Sequence, residues 1–175
     1  MNLSETMRKL WTDHVMWSRC CLIAVIEDLP DAPIARERLL KNQDDMGDAV
    51  GAIYGDQVGA QMATLLKEHI ILATQLVAAA KAHNQEQFQE VHKKWYANAD
   101  DVALFMNKVN PKWQLEEMRT MMYDHLALTN LDIQARLQKD WIGDVAVFDK
   151  VFDQALLMAD KWARGIELQH SDKVL

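Results

Sequence analysis

The chain has 175 residues, half of them hydrophobic, and a net charge of −7 at pH 7, which is long enough for one well-buried core. Its acids and bases are interspersed with no basic run, which speaks against a nucleic-acid or anionic-membrane surface. The first ten residues are polar and lack a signal-peptide core, and no uninterrupted apolar run approaches membrane-spanning length, so the expectation is one cytoplasmic domain over 1–175.

Three prolines, six glycines and apolar residues recurring at three and four predict an all-α chain without strands. The first helix is expected near Ser4, with Met7, Leu10, Trp11, His14, Trp17, Cys21 and Val25 along its apolar stripe. The adjacent Cys20 and Cys21 lie about 100° apart around it. They read as a buried thiol beside a partly exposed one, not as a disulfide framework. Asp28 to Pro33 breaks this helix, and Asp31 with Pro33 starts a second that runs to about Tyr54. A third follows Gly55-Asp56, a fourth follows Ala82-His83-Asn84, a fifth follows Asn110-Pro111, and a sixth follows a turn over 139–143. Short links imply antiparallel neighbours.

Three related stretches organise this pattern: Trp11-Thr12-Asp13-His14-Val15, Leu66-Lys67-Glu68-His69-Ile70 and Met122-Tyr123-Asp124-His125-Leu126. Their histidines stand 55 and 56 residues apart, the signature of an internal repeat. Asn42-Gln43-Asp44-Asp45 and Asn98-Ala99-Asp100-Asp101 repeat on the second arms, and Leu157-Met158-Ala159-Asp160 reads as a degenerate third copy. The expected fold is therefore a bundle of six antiparallel helices from three hairpins, with units of roughly 1–54, 55–110 and 111–170. Measured as height from Pro30, Asn84 and Ile142 at about 1.5 Å per residue, His14 is level with Asp45, His69 with Asn98 and Asp101, and His125 with Asp160. This predicts one polar layer across the core.

Imidazoles and carboxylates from facing helices can hold iron, manganese or zinc in a dry core. His14, His69, His125, Asp45, Asp101 and Asp160 are the candidate ligands, with Asn42 and Asn98 orienting them. If catalytic, such a metal would activate water with an inward aspartate as proton acceptor. A metal-free structural or interaction protein is the alternative, with the layer a buried hydrogen-bond network. A third reading is a small-molecule binder, using an interior rich in tryptophan (Trp11, Trp17, Trp95, Trp113, Trp141, Trp162) and methionine. Asp13, Glu68 and Asp124 are expected at the rim. His83, His92 and His170 read as solvated, and Asp144, Asp149 and Asp153 as a solvated acidic face. A homodimer is compatible with a bundle, and no reaction is assigned.

In its repeated Asp/Glu-His and Asn-x-x-Asp motifs the chain resembles a family of small, uncharacterised bacterial all-α proteins, over nearly its whole length. By architecture it also resembles the hemerythrin, ferritin-like and DinB-like bundles, which implies a metal held by histidines and carboxylates of facing helices. It lacks the Glu-x-x-His pairs of ferritins and the His-x-x-x-His of hemerythrins. Of that resemblance only His14, His69 and His125 fit a generic three-histidine layer.

Overall fold

The computed structural model describes residues 2–171. Six helices make up nearly all of them: α1 (Leu3–Ile26), α2 (Ala32–Tyr54), α3 (Asp56–Lys81), α4 (Gln85–Val109), α5 (Leu115–Leu137) and α6 (Trp141–Ser171), with no strand among the described residues. Each helix packs on the next in sequence and α6 packs back on α1, which closes a ring of antiparallel helices. Helix α1 also touches α3 and α5 across the middle. Among the described residues, α3 alone is long and apolar enough to cross a membrane, with a mean hydropathy of 1.2; half of that stretch is buried inside the bundle.

The chain enters α1 two residues earlier than Ser4. Asn2 accepts from the Glu5 N–H while the Glu5 carboxylate accepts from the Asn2 N–H, a reciprocal capping box that leaves Ser4 inside the helix. The exits of α1, α3 and α5 share one device. Asp28, His83 and Lys139 each adopt a left-handed conformation, at φ 53°, 54° and 59°. The following N–H then returns to the carbonyl of an alanine: Leu29 to Ala24, Asn84 to Ala79 and Asp140 to Ala135. This is the Schellman arrangement, which satisfies carbonyls that the end of a helix would leave unpaired. None of the three residues is a glycine, so the conventional glycine signal for such a turn is absent from the sequence.

The join between α2 and α3 works differently. A single residue, Gly55 at φ 94°, separates the two helices. They approach closely because Gly47, Gly51 and Gly59 remove the side chains between them. A Cβ on Gly59 would stand 2.6 Å from the Gly47 carbonyl oxygen and 2.8 Å from the Gly51 Cα, and one on Gly47 would meet the Gly59 carbonyl oxygen at 2.7 Å. Those neighbours are backbone atoms and cannot rotate away. Gly59→Ala should therefore cost about 1–3 kcal/mol through overpacking, read as a lower urea midpoint with unchanged m-value; an unchanged midpoint would show that the helices can separate at no cost.

Candidate functional site: a buried imidazole layer

The left-handed turn residues give a natural origin for height along each hairpin. His14, His69 and His125 each precede their turn residue by fourteen positions; Asn98 and Gln154 follow theirs by fifteen and Asn42 follows by fourteen. The amide of each second arm consequently meets the histidine of the first. Asn98 Oδ1 lies 2.8 Å from His69 Nδ1, and Gln154 Oε1 lies 3.1 Å from His125 Nδ1. The same amides donate to the carbonyl four residues before each histidine: Asn42 to Leu10, Asn98 to Leu65 and Gln154 to Met121. An amide anchored through its N–H presents its oxygen to the ring, which assigns the Nδ1–H tautomer to His69 and His125.

The first hairpin is a looser version. Asn42 is a hydrogen-bonding partner of His14, while Gln43 Nε2 lies 3.3 Å from His14 Nδ1 and donates to Leu39 O and Asn42 Oδ1. Gln43 Oε1 and the Trp11 indole N–H are buried without a partner.

The three rings converge. His125 sits between the others, with centroids 5.7 Å from His14 and 6.3 Å from His69. Trp11 packs edge-on against His14 and His125, and the Trp95 indole N–H donates to His69 Nε2 at 3.1 Å. All three histidines are buried. Burial pushes His14 and His69 down to about 3 and His125 to about 4. The neighbouring imidazoles add repulsion at His14 and His69. The layer is neutral at physiological pH.

The aspartates expected to face these rings do not reach them. Asp45 is paired with Lys41, and Asp160 is paired with Arg8 at 2.6 Å, both on the surface; Asp101 is exposed. Height along a helix fixes level but not azimuth: Asp45 is two residues beyond Gln43, about 200° around α2. For the third hairpin the origin itself moves, from Ile142 to Lys139, and the group at the height of the ring is an amide rather than an acid. Gln154-Ala155 stands 56 residues after Asn98-Ala99, and it is Gln154, not Asp160, that reaches His125. The water-activating aspartate has no counterpart in the layer. Asp13 is paired with Lys9, and Glu68 and Asp124 are exposed.

A cavity of about 70 Å³ begins at the imidazoles and runs toward the hairpin turns. One helical turn beyond the histidines the inner helices carry Ser18, Ala73 and Thr129; a further turn on they carry Leu22, Val77 and Ile133, and all six line the space. Small side chains between a ring layer and a branched aliphatic layer leave the centre unfilled. On the other side of the rings, Met7, Met62 and Met118, each seven residues before a histidine, are buried and fill the core. A water needs about 10–15 Å³ of such space, so the cavity has room for a short ligand.

Along its α1–α5–α6 wall the cavity meets an ionic cluster. Arg19 bonds Asp132 at 2.9 Å and grips Asp144 with two nitrogens at 2.5 and 2.6 Å; Arg136 reaches Asp144 at 3.3 Å and Glu27 at 3.2 Å. Asp144 is thus buried, not part of a solvated acidic face, whereas Asp149 and Asp153 are exposed. Burial pushes the Asp132 carboxyl up to about 6 against the pull of Arg19. At Asp144 burial acts in the same direction, but Arg19 and Arg136 outweigh it and hold the carboxyl low. His83 and His170 are exposed; His92 is half-buried between Phe88 and Tyr96. Trp141 is 48% exposed under Arg136, unlike the core tryptophans Trp11, Trp95, Trp113 and Trp162. Cys20 is exposed and Cys21 buried.

Comparison with protein-family models, curated proteins and solved structures finds no match to this chain. The fold class, a six-helix bundle with a neutral imidazole layer at its centre, stands on the structure, and function has to be read from the site.

Neutral burial of three imidazoles has a thermodynamic consequence. Their folded pKa values lie below the ordinary 6.5, so below pH 6.5 the unfolded chain binds protons that the folded chain refuses. The stability they confer is complete above pH 6.5 and is lost toward pH 4, at up to about 1.4 kcal/mol per pH unit for each histidine. Asp132, raised to about 6, acts oppositely as pH falls through 6, one group against three. Urea unfolding should lose about 3–5 kcal/mol between pH 6.5 and 5; a flat profile there would mean that the rings are charged or open to water.

Proposed function

We propose that the protein binds a small, mainly apolar molecule in its central cavity, with the imidazole layer as the polar floor of the site. The observation that carries this reading is the small-residue layer of Ser18, Ala73 and Thr129. It keeps open a space bounded by neutral rings at one end and by Leu22, Val77 and Ile133 at the other. A concave, mostly apolar site with a few convergent polar groups is what a small-molecule site requires. With its Nδ1–H held by Gln154, His125 keeps Nε2 to accept a hydrogen bond without a charge to desolvate.

A second reading, a transition-metal site at His14, His69 and His125, has one observation in its favour. His69 and His125 are each held at Nδ1 by an amide oxygen, as ligating imidazoles usually are by an outer partner. The donor set would be nitrogen alone, which suits zinc, copper or ferrous iron better than harder ions. It is the weaker reading because His69 Nε2 already accepts from Trp95, and among the described residues no three histidine, cysteine or acidic side chains are grouped to hold one ion.

One experiment separates the readings. With 1-octanol as a neutral probe, the pocket reading expects a saturable change in tryptophan emission, because Trp95 lines the cavity, together with a rise in Tm. Ala73→Phe, which fills the cavity, should abolish both while keeping the helical spectrum. Near-stoichiometric metal in untagged protein, absent from His69→Ala, would favour the metal site instead. Neither octanol binding nor metal would leave the layer a purely structural network.

A further inference from the structure

The central cavity has a surface groove beside it with a defined chemistry. Val25 and Thr74 line both the cavity and a surface groove of about 340 Å³ between α1, α2 and α3, whose other walls are Ala32, Pro33, Arg36, Gln75 and Ala78. Val25 and Thr74 are thus the side chains that stand between the two spaces, and a ligand occupying both would pass them. Apart from Gln75 and Arg36 the groove walls are apolar or small, and Arg36 is the one charged residue among them.

The charged groups around this groove leave Arg36 available. Lys81 donates to the Val25 carbonyl at 3.0 Å and pairs with Asp28 at 2.6 Å, which neutralises it. Arg38 lies over the Trp17 ring, 5.2 Å from its centroid. Arg19, inside, is engaged by Asp132 and Asp144. Arg36 is exposed, is in no ion pair among the described residues, and is near enough to the Cys21 thiol on the cavity wall to act on it electrostatically. A guanidinium at the rim of an apolar shaft is matched by a carboxylate carried on an alkyl chain. The shaft sets the chain. Thr74 lies five residues beyond His69 and Val25 eleven beyond His14, about 8–16 Å from the rings at 1.5 Å per residue, the reach of a medium-length alkyl group. Asp132, on the cavity wall, disfavours the reverse orientation with the carboxylate inside.

We infer that the ligand of this site is a medium-chain aliphatic monocarboxylate, its head at Arg36 and its alkyl chain running past Val25 and Thr74 toward the imidazole layer. This rests on the cavity being a binding site, and the test separates the two claims. Octanoate and 1-octanol are titrated into the full chain by isothermal calorimetry, alongside Arg36→Gln and Arg36→Lys. Octanoate should bind about five- to tenfold more tightly than octanol at low ionic strength, as a charge-assisted contact at a partly exposed site allows. Added salt should reduce that advantage without affecting octanol. Arg36→Gln should remove the advantage, while Arg36→Lys should keep part of it. An advantage that survives Arg36→Gln, or none in the parent protein while octanol binds, overturns the head-group assignment alone. Failure of octanol as well as octanoate overturns the binding site itself.

Discussion

The contact on which the structure depends is the hydrogen bond between a buried histidine on the first arm of each hairpin and an amide on the second. A neutral imidazole in a dry core needs a partner for each nitrogen, and an unmade bond there costs about 1–3 kcal/mol. The amide meets this need at Nδ1 and, through its own N–H, also satisfies the carbonyl one turn before the histidine. Sliding one arm against the other by a single residue would break both bonds. The pair thus fixes the register that apolar packing alone would leave adjustable.

The left-handed turns and the amide layer are two ends of one measurement. Because Asp28, His83 and Lys139 stand at corresponding points, each hairpin brings its histidine to the same height, and the inner faces of α1, α3 and α5 stack in matched layers. Methionines fill a layer two turns before the rings; after the rings come small residues and then branched aliphatics. The cavity follows from that order. Where the three positions carry large side chains the core closes, and where they carry Ser18, Ala73 and Thr129 it does not. A space produced in this way is bounded by rigid helices, which suits a site that binds without rearrangement.

Much of this was legible in the sequence, and the misses have physical causes. Helix count and the inward direction of His14, His69 and His125 follow from apolar periodicity, which is strong in long helices. Asn42 and Asn98 are partners of their rings, as their spacing implies, whereas Asp45, Asp101 and Asp160 are not. Burial favours a neutral amide, which brings no charge to desolvate. Gln154 could have been found from its 56-residue spacing to Asn98, but the longer last turn and the attraction of Asp160 hid it. Asp144 looked like one of several acids on a helix face; only the tertiary fold brings Arg19 and Arg136 to it. The glycine contact between α2 and α3 had a sequence signal in the four-residue spacing of Gly47, Gly51 and Gly55, with Gly59 continuing it.

The most direct test of the account is the protonation state of the three rings, measured by long-range ¹H–¹⁵N correlation of uniformly labelled protein at pH 5.5, below the ordinary histidine pKa. The structure predicts three neutral imidazoles, with His69 and His125 as Nδ1–H tautomers. Charged rings at His69 and His125, or Nε2–H tautomers there, would contradict the amide layer and with it the register of the hairpins and the floor of the cavity.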